Sequence, residues 1–156
     1  MHRLRQLIRS RLGAADFMLR FVLAGVLLYA SADKIMHPQD FALMVKGYRI
    51  LPDPLVNVTA IWLPWLELAL GLCLISGKWC EGAVALSAGL LGVFWLALIV
   101  NFFRGINVDC GCFSTTPAAG AEPTPMLWYI GRDAVLLGLA LLTAWVRLRV
   151  AGANST

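Results

Sequence analysis

Four long apolar runs joined by short polar segments predict an all-α integral membrane protein, a four-helix transmembrane bundle. Hydrophobic residues make up 60% of the chain and charged residues 14%, against about 45–50% and about 25% in an average soluble domain. That excess is too large for one water-soluble core, and it is gathered into runs of membrane-spanning length. The basic residues add a direction. Arg3, Arg5, Arg9 and Arg11 all precede the first apolar run, where they mark a cytoplasmic membrane surface with anionic headgroups rather than a nucleic-acid site. The expected partner of the chain's surface is therefore a lipid bilayer, with no nucleic acid.

Residues 1–16 form a basic segment in which Leu4, Leu7, Ile8 and Leu12 recur at helical spacing, as in an amphipathic helix lying on the membrane. Residues 17–147 hold the membrane domain. Its first run extends from Phe17 to about Met36, and Ala30-Ser31-Ala32 outlines a signal-peptidase site. Three further apolar runs and an even-numbered bundle favour an uncleaved first helix. In the following loop Phe41, Met44, Val45 and Tyr48 share a helical face, which predicts a half-buried surface helix stopped by Pro52 and Pro54. The second membrane helix is read as Val58–Ser76, with Trp62 and Trp65 as interfacial anchors and Glu67 at its midpoint. The third is Gly82–Phe103, where Ala85 with Gly89 and Ala88 with Gly92 offer close helix approach. The fourth is Met126–Val146. Residues 148–156 are read as a disordered tail.

Topology follows from the positive charges. Arg3, Arg5, Arg9, Arg11, Arg20, Lys78, Arg147 and Arg149 fall on the N-terminal side, and Lys34, Lys46, Arg49, Arg104 and Arg132 on the other. The bias places both termini in the cytoplasm. The loop between the third and fourth helices, with Cys110-Gly111-Cys112, is then extracytoplasmic, facing a compartment where disulfides persist. Cys73 and Cys80 lie toward the opposite face, a bilayer core of about 30 Å away, far beyond the reach of a disulfide.

Cys110 and Cys112 are therefore the candidate reactive pair. A disulfide between them closes a very small ring, and a strained disulfide is the more easily exchanged. Arg104 nearby favours a thiolate and Asp109 opposes it. A structural disulfide and a soft-metal site with His37 and Met36 remain open on the same residues, although the ligand set is thin and no metal is assigned. A second constellation is Glu67, Arg132 and Asp133. A carboxylate in mid-membrane calls for a partner, and an ion pair or network with Arg132 is the expectation.

Several features then occur in order: Ala32-Asp33-Lys34-Ile35, Tyr48-Arg49-Ile50-Leu51-Pro52, Leu63-Pro64-Trp65-Leu66-Glu67-Leu68, Asn101-x-x-Arg104-Gly105, Asp109-Cys110-Gly111-Cys112-Phe113 and Arg132-Asp133. Together, over roughly residues 17–147, they resemble the MauE branch of the MauE/DoxX membrane protein family. Family members commonly carry glycine after Cys-Gly-Cys-Phe, where this chain has Ser114. The resemblance implies a bacterial inner-membrane protein associated with thiol-disulfide chemistry. Its partner would be a thioredoxin-like periplasmic protein or an exported thiol protein, in methylamine dehydrogenase maturation or a related process. Two alternatives compete: a quinone-linked disulfide-generating oxidoreductase, which would make quinone a cofactor, and a non-enzymatic assembly subunit with a structural disulfide.

Overall fold

The computed structural model describes the backbone of residues 2–77, 80–106 and 126–154. These fold into α1 (His2–Met36), α2 (Pro38–Gly47), α3 (Asp53–Ser76), α4 (Cys80–Phe103) and α5 (Met126–Asn154). Four stretches are long and apolar enough to cross a membrane: Gly13–Met36, Asp53–Ser76, Glu81–Phe103 and Met126–Arg149. The chain is thus an all-helical, multi-pass membrane protein. Its outer surface agrees, since Ile61, Trp62, Leu96, Leu127 and Val135 all point away from the bundle, as suits contact with acyl chains.

Each of α1 and α4 packs on both α3 and α5. The order around the bundle is α1, α3, α4, α5, with α3 and α5 diagonally opposed. The α1–α3 pair is antiparallel and in register: Arg20 lies against Gly77, Leu28 against Gly71, and Lys34 against Glu67. In the α4–α5 pair Gly92 faces Leu137, and the Trp95 indole N–H donates to the Ile130 carbonyl at 3.1 Å. One end of the bundle, here the base, holds Asp16 of α1 ion-paired to Arg147 of α5 at 2.9 Å. At the other, the loop end, the chain leaves α4 and enters α5. The loop end also carries α2, which buries Phe41 and Val45 against Val56 and Ala60 of α3.

Lipid tails are as apolar as leucine, so these helices associate through close packing rather than through expulsion of water. The core reflects that. Leu23, Ala24 and Leu27 of α1 interlock with Leu70 and Leu74 of α3, and Val84 and Ala140 close the far side. Gly71 is required there, because a Cβ at this position would lie 2.8 Å from Leu28 Cγ and Cδ2. Buried hydroxyls are satisfied inside their own helices: Ser31 donates to Leu28 O, Ser87 to Ala83 O and Thr143 to Leu139 O, as a medium without water demands.

Four boundaries and contacts differ from the sequence reading. The amphipathic segment is not separate, since α1 is one helix from His2 to Met36. α3 starts at Asp53 rather than Val58. Pro52 is extended as its N-cap, Pro54 sits in the first turn where no N–H is needed, and Asp53 complements the helix dipole. The prolines that end the surface segment thus also begin the next helix. α5 continues to Asn154, so most of residues 148–156 is helical rather than disordered. Finally, Ala88 and Gly92 face the bundle as expected but Ala85 and Gly89 face outward, and the tightest approach is made at Gly71.

Candidate functional site at the loop end

The polar residues of the bundle concentrate toward its loop end. Lys34, in the last turn of α1, is only 1% exposed, and its Nζ donates to both carboxylate oxygens of Glu67 at 2.6 and 2.7 Å. The ammonium also lies 5.1 Å from the ring centroid of Phe41 (α2) and 5.4 Å from that of Phe94 (α4), within cation–π range. One side chain thereby engages α2, α3 and α4 from α1. Removing one partner of such a buried pair costs about 3–5 kcal/mol, because the other charge is left uncompensated.

This corrects the expected Glu67–Arg132 partnership. Arg132 stands on α5, diagonal to α3, so Glu67 meets Lys34 of the adjoining helix. Arg132 instead donates to Asp133 Oδ1 through Nε at 3.1 Å and Nη2 at 3.0 Å, and its guanidinium lies 5.4 Å from the Tyr129 ring. Asp133 is 1% exposed.

Two of the sequence motifs meet at the mouth of this end. Arg104 Nη1 donates to the Arg49 carbonyl at 3.3 Å, and Arg49 holds a left-handed backbone, φ 50°, uncommon for a residue with a side chain. The Asn101-x-x-Arg104-Gly105 stretch is a helix stop. Ile106 N–H bonds Asn101 O, Gly105 N–H bonds Phe102 O, and Gly105 takes φ 67°. That is the Schellman pattern, which needs a residue free to turn left-handed. It sets the direction in which the chain departs toward the cysteines. Cys110, Cys112 and Asp109 themselves lie outside the described residues. Cys73 lies one turn from the base end of α3, packed beside the core.

A cavity of about 180 Å³ opens beside the ion pair, between α2, α3 and α4. Its walls include Phe41, Tyr48, Leu63, Val93, Phe94 and Ala97. Phe41 and Phe94 thus face the cavity as well as the Lys34 ammonium.

A family model described as methylamine utilisation protein MauE matches residues 12–146. The chain belongs to the MauE family. It is similar to the methylamine utilization protein MauE of Paracoccus denitrificans, 35% identical over 128 residues, which cover 81% of this chain and 66% of that protein. The MauE of Methylorubrum extorquens is 34% identical over 124 residues, 78% of this chain and 64% of the relative. That of Methylophilus methylotrophus is 33% identical over 132 residues, 81% and 66%. The chain therefore spans just under two thirds of the length of the curated relatives it matches. No solved structure matches it.

Within this family frame, Lys34 is the residue that reasoning from the sequence missed. It was legible as one of a motif, Ala32-Asp33-Lys34-Ile35, and as a lysine in the last turn of an apolar helix. A lone cation there calls for a carboxylate on an adjoining helix.

Proposed function

We propose that this MauE-family protein acts in methylamine utilisation or a related maturation process as a membrane thiol-disulfide accessory. Cys110 and Cys112 would exchange a disulfide with a thioredoxin-like protein or an exported thiol protein. The observation that carries the reading is the Cys-Gly-Cys spacing in the segment joining α4 to α5. The helix stop at Gly105 and the Arg104–Arg49 bond support it, because they fix the takeoff of that segment. In the exchange, a thiolate of the partner attacks one sulfur of the Cys110–Cys112 disulfide. The other sulfur leaves as a thiolate, and a second thiol of the partner resolves the mixed disulfide, so the partner gains a disulfide and the pair is reduced; the same steps in reverse carry electrons the other way. In this reading, which rests on the distribution of positive charges in the sequence, the pair faces outward from a bacterial inner membrane and both termini are cytoplasmic.

The test is a membrane-impermeant maleimide added to intact cells, with and without mild reductant. Protection of Cys110 and Cys112 that disappears on gentle reduction is the expected result, followed by capture of a mixed disulfide in Cys112→Ser or Cys110→Ser. Immediate labelling without reductant, or no labelling until detergent is added, overturns the reading.

A further inference from the structure

Among the described residues, Asn101 is the one whose side-chain donor and acceptor are both buried and unused. Its side chain is fully buried, and neither Nδ2 nor Oδ1 has a hydrogen-bond partner among the described residues. Its backbone is engaged in the ordinary way, within α4 and through the carbonyl, which accepts from Ile106 N–H. Leaving a buried amide unsatisfied costs about 1–3 kcal/mol in proteins, and a lipid surround offers no water to relieve it. The other buried polar groups nearby are matched, Lys34 by Glu67 and Asp133 by Arg132. An orphaned carboxamide in that company points to a ligand.

Its position says where. Phe94, Ala97 and Asn101 are spaced three and four residues apart, so they share one face of α4. Phe94 and Ala97 are walls of the cavity between α2, α3 and α4, and Asn101, not itself a wall, stands one turn beyond them on the same stripe, where the polar end of a longer ligand would arrive. Tyr48 joins the two places: it lines the cavity and belongs to the cluster of Leu98 and Met126 at the end of α4. An apolar cavity of about 150 Å³ is enough to accept a benzene ring, so about 180 Å³ takes one substituted six-membered ring or a short hydrocarbon stretch. The walls carry no charged residue, and the ion pair behind Phe41 and Phe94 is internally matched, which disfavours an ionised ligand. A carboxamide presents both a donor and an acceptor, suiting a carbonyl, a hydroxyl, or a group that alternates between them.

We propose that the α2–α3–α4 cavity and Asn101 form a binding site for a small uncharged molecule drawn from the membrane, with a ring-sized apolar body and a carbonyl or hydroxyl group hydrogen-bonded to Asn101. A benzoquinone or hydroquinone ring and the ester region of a membrane lipid share this chemistry. The site includes neither cysteine, and it stands whether or not that pair exchanges disulfides.

The experiment is thermal unfolding of the purified full chain in detergent, alone and with each of two probes: 2,3-dimethoxy-5-methyl-1,4-benzoquinone and a neutral fatty-acid methyl ester. Saturating ligand should raise the melting temperature by roughly 5 °C. A rise with only one probe assigns the ligand source, and a rise with both supports the shared chemistry. Asn101→Leu should raise the melting temperature of the ligand-free protein, since it removes an unsatisfied amide, and should abolish the ligand-dependent rise. Ala97→Phe, which fills the cavity and leaves Asn101 in place, should abolish the rise as well. The rise should persist in the Cys110→Ser, Cys112→Ser double variant, so this site and the thiol reading fail independently. If Asn101→Leu lowers the ligand-free melting temperature, the amide is structural and the proposal fails. It fails equally if neither probe shifts the native protein more than the two variants.

Discussion

The base and the loop end of this bundle are built on different physics. At the base, Leu23, Ala24, Leu27, Leu70 and Leu74 interdigitate around a glycine contact, with one ion pair, Asp16–Arg147, at the rim. Toward the loop end, Lys34, Glu67, Asn101 and Asp133 are all buried, and the two rings that face the Lys34 ammonium, Phe41 and Phe94, also wall a cavity. The apolar half gains stability from fit, which tolerates small losses one at a time. The polar half gains it from matched charges and donors, where losing one partner strands the other.

The sharpest way to break this contrast is Glu67→Leu, which strands the Lys34 ammonium. A loss of about 3–5 kcal/mol is expected, read as collapse of the thermal transition in detergent. The double change Lys34→Met with Glu67→Leu should return most of it. If the single change is mild, the loop end is not held by charge matching.

Next in size is Gly71→Leu at the base. Its side chain must displace Leu28, and a loss of about 1–3 kcal/mol is expected from overpacking. Maleimide reactivity of Cys110 and Cys112 should stay unchanged, because the strain lies at the opposite end of the bundle from where the chain leaves α4. A change in that reactivity would mean the two halves are mechanically coupled.

The smallest effect belongs to Gly105→Ala. A side chain at φ 67° is disfavoured by about 1 kcal/mol. Here the melting temperature should move little while the rate of thiol labelling changes, since the takeoff of the chain from α4 is altered. An unchanged labelling rate would separate the helix stop from the cysteines.

Much of this was legible in the sequence, and the failures are instructive. The four spans and α2 with buried Phe41, Val45 and Tyr48 followed from period and composition, which are local properties. The partner of Glu67 did not follow, because partnership depends on which helices are neighbours. Arg132 lay at a plausible depth along α5, but α5 is diagonal to α3, and no spacing within a single helix carries that information. The start of α3 was missed for a local reason: Pro52-Asp53-Pro54 reads equally as a stop for one helix and a cap for the next. Asn101 and Arg104 were visible as motif residues. Only the fold shows that the Asn101 side chain is buried without a partner and that Arg104 bonds the Arg49 carbonyl.

The Lys34–Glu67 pair also has a consequence for biosynthesis. The two residues are 33 positions apart, so at about 5–20 residues per second the ribosome delivers the carboxylate some seconds after the ammonium. During that interval the nascent first helix must hold an uncompensated cation. Lys34 lies two residues from the end of α1, where its long stem lets the charge reach the interface. The arrival of α3 then draws it inward, making the second membrane insertion the event that locks the first helix at its final depth.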